Sequence, residues 1–65
     1  MKLDRQKLLL AMAREKIAPP ELCTRAGIQT STFFNIQSGR RNPKPATLGK
    51  LAEALRVDPA ELVVS

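Results

Sequence analysis

The sequence contains no histidine, tryptophan or tyrosine, a single cysteine, Cys23, and two phenylalanines, Phe33 and Phe34. One thiol cannot close an intramolecular disulfide. Without histidine or a second cysteine there is no ligand set for a tetrahedral zinc site and no imidazole to activate a nucleophile. Two aromatic rings also make a poor stacking platform for single-stranded nucleic acid. Long apolar runs are missing as well. Leu8-Leu9-Leu10-Ala11-Met12-Ala13 is bounded by Lys7 and Arg14, too short for a membrane span and too closely preceded by Asp4 and Arg5 for a signal segment. These absences predict a cytoplasmic, non-enzymatic domain with no catalytic residue, no metal, no cofactor, no membrane partner and no small-molecule ligand. Cys23 reads as a small buried hydrophobe.

Acid is missing from one stretch. The net charge is +5, but residues 22–52 carry Arg25, Arg40, Arg41, Lys44 and Lys50 with no aspartate or glutamate. The acids gather at the two ends, as Asp4, Glu15 and Glu21 and then Glu53, Asp58 and Glu61. A purely positive central block faces a polyanion more naturally than it faces bulk solvent. The chain has 65 residues, enough for a single domain spanning 1–65 that buries about 60% of its unfolded surface.

What is present is helical spacing. No segment alternates apolar and polar residues long enough for a strand. Asp4 is a good N-cap for a first helix over about 4–16, which ends before Pro19-Pro20. A second helix is expected with Pro19 at its N-cap and Pro20 at its first position, ending near Ala26 because Gly27 can take the left-handed conformation. A third covers about 30–38 and stops at Gly39. With Gln29 a weak cap, Thr30 or Ser31 is expected to cap it one residue later. Pro45 opens a fourth helix whose Leu48, Leu51, Ala52 and Leu55 share one face, and Asp58-Pro59 starts a short fifth helix over Ala60, Leu62 and Val63. The second and third segments are joined by Gly27-Ile28-Gln29 alone, the connection length of a helix-turn-helix.

The third segment has two unlike faces at about 100° per residue. Phe33, Ile36 and Thr32 point inward. Thr30, Ser31, Phe34, Asn35 and Ser38 form the opposite face, polar yet uncharged, which suits base edges better than phosphate. Asn35 can bond adenine bidentately, Thr30 and Ser31 can bond several bases, and Phe34 can meet a thymine methyl. Arg40-Arg41-Asn42 follow directly, where a docked helix brings its trailing loop onto the sugar-phosphate backbone.

Several residues together resemble the phage-repressor and Cro (XRE-like) helix-turn-helix family over about residues 5–63. They are Leu22; Gly27-Ile28 in the turn; Phe33 and Ile36; Gly39-Arg40-Arg41-Asn42-Pro43; and Leu48, Leu51-Ala52, Leu55-Arg56-Val57 and Leu62. The resemblance implies an all-α fold, a compact five-helix bundle, and a sequence-specific transcriptional regulator, a repressor, that binds double-stranded DNA as a homodimer. It puts Thr30, Ser31, Phe34 and Asn35 on base-reading positions and Arg40, Arg41, Asn42 and Lys44 on the backbone-contacting loop. Two departures stand out. Ala18-Pro19 replaces the usual Ser-Gln at the start of the second helix. Met12 and Gln37 occupy positions where the family often pairs an arginine with a glutamate. Met12 is expected to pack on Gln37, with the Gln37 amide reaching the backbone at Gly39 to Arg41. Leu62, Val63 and Val64, with one of Leu8, Leu9 or Leu10, are expected to form the dimer surface. The competing reading is a protein-interaction module that keeps this fold without binding DNA.

Overall fold

The computed structural model describes residues 2–64. Four α-helices and one 3₁₀ turn follow one another, and each boundary traces to a local residue choice. Helix α1, Arg5–Glu15, begins where the Asp4 carboxylate accepts from the backbone N–H groups of Gln6 and Lys7 at 3.0 and 3.1 Å. It closes at Lys16 in the left-handed region (φ 53°), and Ile17 N–H returns to the Met12 carbonyl, so that Ile17 turns into the core.

Helix α2, Pro19–Ala26, starts one residue earlier than expected. Ala18, not Pro19, is the N-cap, in extended conformation, and its carbonyl accepts from Leu22 N–H at 2.9 Å. Both prolines therefore lie inside the first turn, where the missing N–H groups have no intrahelical acceptor to lose. Gly27 (φ 73°) ends the helix, with its own N–H and that of Ile28 returned to the Cys23 carbonyl at 2.9 and 3.0 Å. The expected left-handed glycine cap and the three-residue corner are present.

Helix α3 runs Thr30–Gln37 with Gln29 at its N-cap, so neither Thr30 nor Ser31 caps it. Gln29 adopts the extended cap backbone without giving a side-chain bond, which leaves both hydroxyl residues on the helix itself. Helix α4, Pro45–Leu55, places Leu48, Leu51, Ala52, Ala54 and Leu55 in the core. The fifth segment is not an α-helix. It is a single 3₁₀ turn, Pro59–Leu62, held by a capping box between Asp58 and Glu61. It stops because Val63 is extended and forms an isolated antiparallel bridge with Leu3.

That bridge zips the segments at residues 2–4 and 62–64 together. Asp4 N–H donates to the Leu62 carbonyl and Val64 N–H to the Lys2 carbonyl, each at 2.8 Å. The Lys7 ammonium adds a bond to the Val63 carbonyl at 3.1 Å. Leu62 is thereby driven fully into the core. It has no exposed surface to offer a second copy, which corrects its expected place in a dimer patch. Val63 is half-buried, and Val64 together with Leu9 and Leu10 remains exposed.

The core is one cluster in which α4 packs on α2 and on the 3₁₀ turn, α2 on α3, and α1 on α4 and the 3₁₀ turn. Cys23 lies within it, 2% exposed, and burial pushes its thiol pKa up. Alkylation needs the thiolate. Iodoacetamide should therefore label native Cys23 at least about 100-fold more slowly than the urea-unfolded chain, since labelling waits on global opening. Equal rates in both states would place this thiol outside a stable core.

Candidate nucleic-acid interface

Phe33 and Ile36 fix the rotation of α3, since both are buried against the rest of the core. With that face committed, Thr30, Ser31 and Phe34 stand exposed and Asn35 is half-exposed. All four expected base-reading side chains thus emerge from one side of one helix. Phe34 is 51% exposed, yet its ring meets the buried Phe33 ring edge-on, with centroids 5.5 Å apart and planes at 77°. The protruding ring therefore rests on the core in a preferred aromatic geometry.

The loop after α3 is organised by one backbone oxygen. The Asn35 carbonyl accepts from Arg40 N–H at 3.0 Å, Arg41 N–H at 3.2 Å and the Ser38 hydroxyl at 3.2 Å. Gly39 makes the reversal possible at φ 85°. Arg40, Arg41, Asn42 and Lys44 follow, all exposed. They lie in continuous chain with the uncharged face of α3, so the structure brings the two expected groups of residues together.

Ion pairing divides the cationic block. Arg25 pairs with Glu21 one helical turn away at 3.0 Å, and Arg56 lies 4.0 Å from Glu15. Both are surface pairs that contribute about 1 kcal/mol or less. Among the described residues, Arg40, Arg41, Lys44 and Lys50 have no carboxylate partner. Within the acid-free stretch 22–52, the unneutralised charge thus falls on the loop beside α3 and on the exposed Lys50 of α4.

The start of α2 is correspondingly weak as an anion site. Of the first-turn positions, Pro19 and Pro20 have no N–H, and Glu21 adds a carboxylate. A phosphate there would find one free amide and a like charge. The replacement of the resembled family's Ser-Gln by Ala18-Pro19 therefore removes one backbone donor as well as the side-chain ones, and Pro20 removes a second.

The expected bonds from the Gln37 amide to the backbone at Gly39 to Arg41 do not form. Among the described residues the Gln37 amide makes no hydrogen bond, and the backbone at this end of α3 is reached instead by Arg5, whose Nη1 donates to the Ser38 carbonyl at 3.2 Å. An open groove of about 930 Å³ separates the start of α1 from the end of α3, with Arg5, Leu9, Gln37 and Arg41 among its lining residues. Sequence reasoning missed Arg5, because a bond spanning 33 residues leaves no local signature.

A family model described as the Cro/C1-type helix-turn-helix DNA-binding domain matches residues 7–64. The chain is 36% identical over 53 residues to the HTH-type transcriptional repressor RghR of Bacillus subtilis, a match covering 80% of this chain and 39% of that protein. This chain thus spans about two-fifths of that relative. Among solved structures, the restriction-modification controller protein C.AhdI from Aeromonas hydrophila superposes with a TM-score of 0.79 at 26% identity. That match covers 88% of this chain and 86% of the other. A mutant hydroxyethylphosphonate dioxygenase superposes with a TM-score of 0.84 at 28% identity over all of this chain, but over only 14% of the enzyme.

Proposed function

Because the chain belongs to the Cro/C1-type helix-turn-helix DNA-binding family, we propose that it is a sequence-specific double-stranded-DNA-binding transcriptional regulator, acting as a repressor. One observation carries the reading: the uncharged outer face of α3 is continuous with the exposed, unpaired cations of the following loop. In this reading α3 enters the major groove, Thr30, Ser31, Phe34 and Asn35 read base edges, and Arg40, Arg41, Asn42 and Lys44 hold the phosphates. The likeness to proteins called a transcriptional repressor and a controller supports the regulatory role.

Dimeric action follows from size. The domain measures 25 × 23 × 18 Å, less than the ~34 Å of one turn of duplex, so one copy reads one half-site and two copies read half-sites about one turn apart. With Leu62 in the core, the surface left for a second copy is Val63 and Val64 with Leu9 or Leu10.

The test is a titration of selected and scrambled duplexes with the wild-type chain and Asn35→Ala. Loss of a bidentate Asn35 contact should cost about 1–3 kcal/mol on the selected duplex and nothing on the scrambled one. Equal weakening of both would remove Asn35 from base reading. The second reading, an interaction module without DNA binding, draws on the donor-poor start of α2 and on the likeness to a small part of an enzyme. It predicts no duplex binding even at low salt.

A further inference from the structure

We propose that Arg5 is a positioning residue that fixes the conformation of the loop carrying Arg40 and Arg41, a role whose consequence for DNA rests on the reading above. Helix α1 packs mainly on α4 and the 3₁₀ turn, and the groove between α1 and the end of α3 is open. The last turn of α3 is anchored in the core through Ile36, while the loop residues Gly39, Arg41 and Asn42 that follow it border this groove. Arg5 crosses the gap, its Nη1 donating to the Ser38 carbonyl at 3.2 Å. Ser38 is the C-cap of α3, so its carbonyl is one of the acceptors a helix end leaves without an intrahelical donor. A guanidinium there satisfies the oxygen and opposes the negative end of the helix dipole.

Gly39 follows at φ 85°, a backbone conformation that favours glycine; a Cβ on it would lie 3.7 Å from Arg5 Nη1, in ordinary contact, so the glycine serves the turn and not the approach of the guanidinium. Immediately beyond it, the N–H groups of Arg40 and Arg41 close onto the Asn35 carbonyl. The peptide that aims both arginines is thus held from inside by Asn35 and from outside by Arg5. Arg5 is not placed there by an acid. Its neighbour Asp4 spends its carboxylate on the amides of Gln6 and Lys7, and Lys2 and Arg41 line the same groove.

The experiment measures amide hydrogen exchange in the free protein for wild type, Arg5→Ala and Lys50→Gln, the last removing an equal charge from an exposed site on α4. Duplex affinity of wild type and Arg5→Ala is then followed across salt concentration. Exchange at Arg40 and Arg41 should accelerate about tenfold in Arg5→Ala and stay unchanged in Lys50→Gln, with the α2 and α4 amides reporting an intact fold. Duplex affinity of Arg5→Ala should fall about three- to tenfold with an unaltered salt slope, since no phosphate contact is removed. Unchanged exchange at Arg40 and Arg41 would overturn the proposal. So would a slope flatter by about two per dimer, which would make Arg5 a phosphate contact in its own right. If the wild type binds no duplex while the exchange effect persists, the positioning role is supported and the DNA reading alone is lost.

Discussion

Phe33→Ala is expected to remove about a third or more of the domain's stability at 25 °C. Phe33 is the largest of the fully buried side chains, at 0% exposure. Its truncation in a close-packed core costs about 3–5 kcal/mol, through lost transfer free energy and the cavity left behind. At about 0.05–0.15 kcal/mol per residue, a chain this short has a total stability of roughly 3–10 kcal/mol. The loss therefore amounts to about a third of that stability at the upper end of the range and to all of it at the lower end. Urea denaturation followed by far-UV circular dichroism should show the folded baseline of the variant shortened or absent. Phe34→Ala is the informative contrast. Phe34 is half-exposed and its loss forfeits only the edge-on ring contact, worth about 0.5–1.5 kcal/mol, so that variant should fold. A Phe33→Ala chain with a wild-type urea midpoint would mean that the core does not depend on this ring, and with it would go the argument that Phe33 sets the rotation of α3.

What the sequence made legible is what depends on neighbours a few residues away. Asp4, Gly27, Gly39, Pro45 and Asp58 each act through their own turn, and the helix boundaries they imply are present to within about one residue. The two faces of α3 were readable for the same reason, since a helical period carries its own geometry. The errors have the opposite character. From sequence alone Leu62 reads as part of a surface patch, because nothing local shows that Leu3 bridges to Val63 and pulls the preceding turn inward. The fifth segment looked like an α-helix because proline and aspartate announce a start but not how soon an extended residue ends it. Arg5 reaches Ser38 through a fold that has to exist before the two can meet. The residue before a proline is disfavoured in helical conformation, which puts Pro19 at the cap from sequence alone, whereas the structure has Ala18 there and Pro19 inside the first turn.

Arg40→Ala combined with Arg41→Ala should lower duplex affinity about a thousandfold or more at 100 mM salt, and on every sequence alike. The two residues are exposed, lie on the loop directly after α3, and have no carboxylate partner among the described residues. Each phosphate they neutralise releases condensed counterions, so log K for the wild-type dimer should fall with log salt at a slope of about −4 to −7 for four to eight contacts. Removing two arginines per copy removes four contacts per dimer and should flatten that slope by about 3 to 4. Because wild-type and variant lines converge towards 1 M salt, the deficit should widen as salt is lowered. Specificity should survive, since Thr30, Ser31, Phe34 and Asn35 are untouched and the ratio between selected and scrambled duplexes is set at base edges. Stability should change little, because both side chains leave the fold outward and the loop is held through backbone N–H groups that alanine retains. Fluorescence anisotropy of labelled duplexes between 50 and 300 mM salt measures slope and ratio together. A wild-type slope near zero would show that the cations do not touch phosphate. A double variant that lost its preference between sequences while keeping the slope would exchange the roles assigned here to the loop and to the helix.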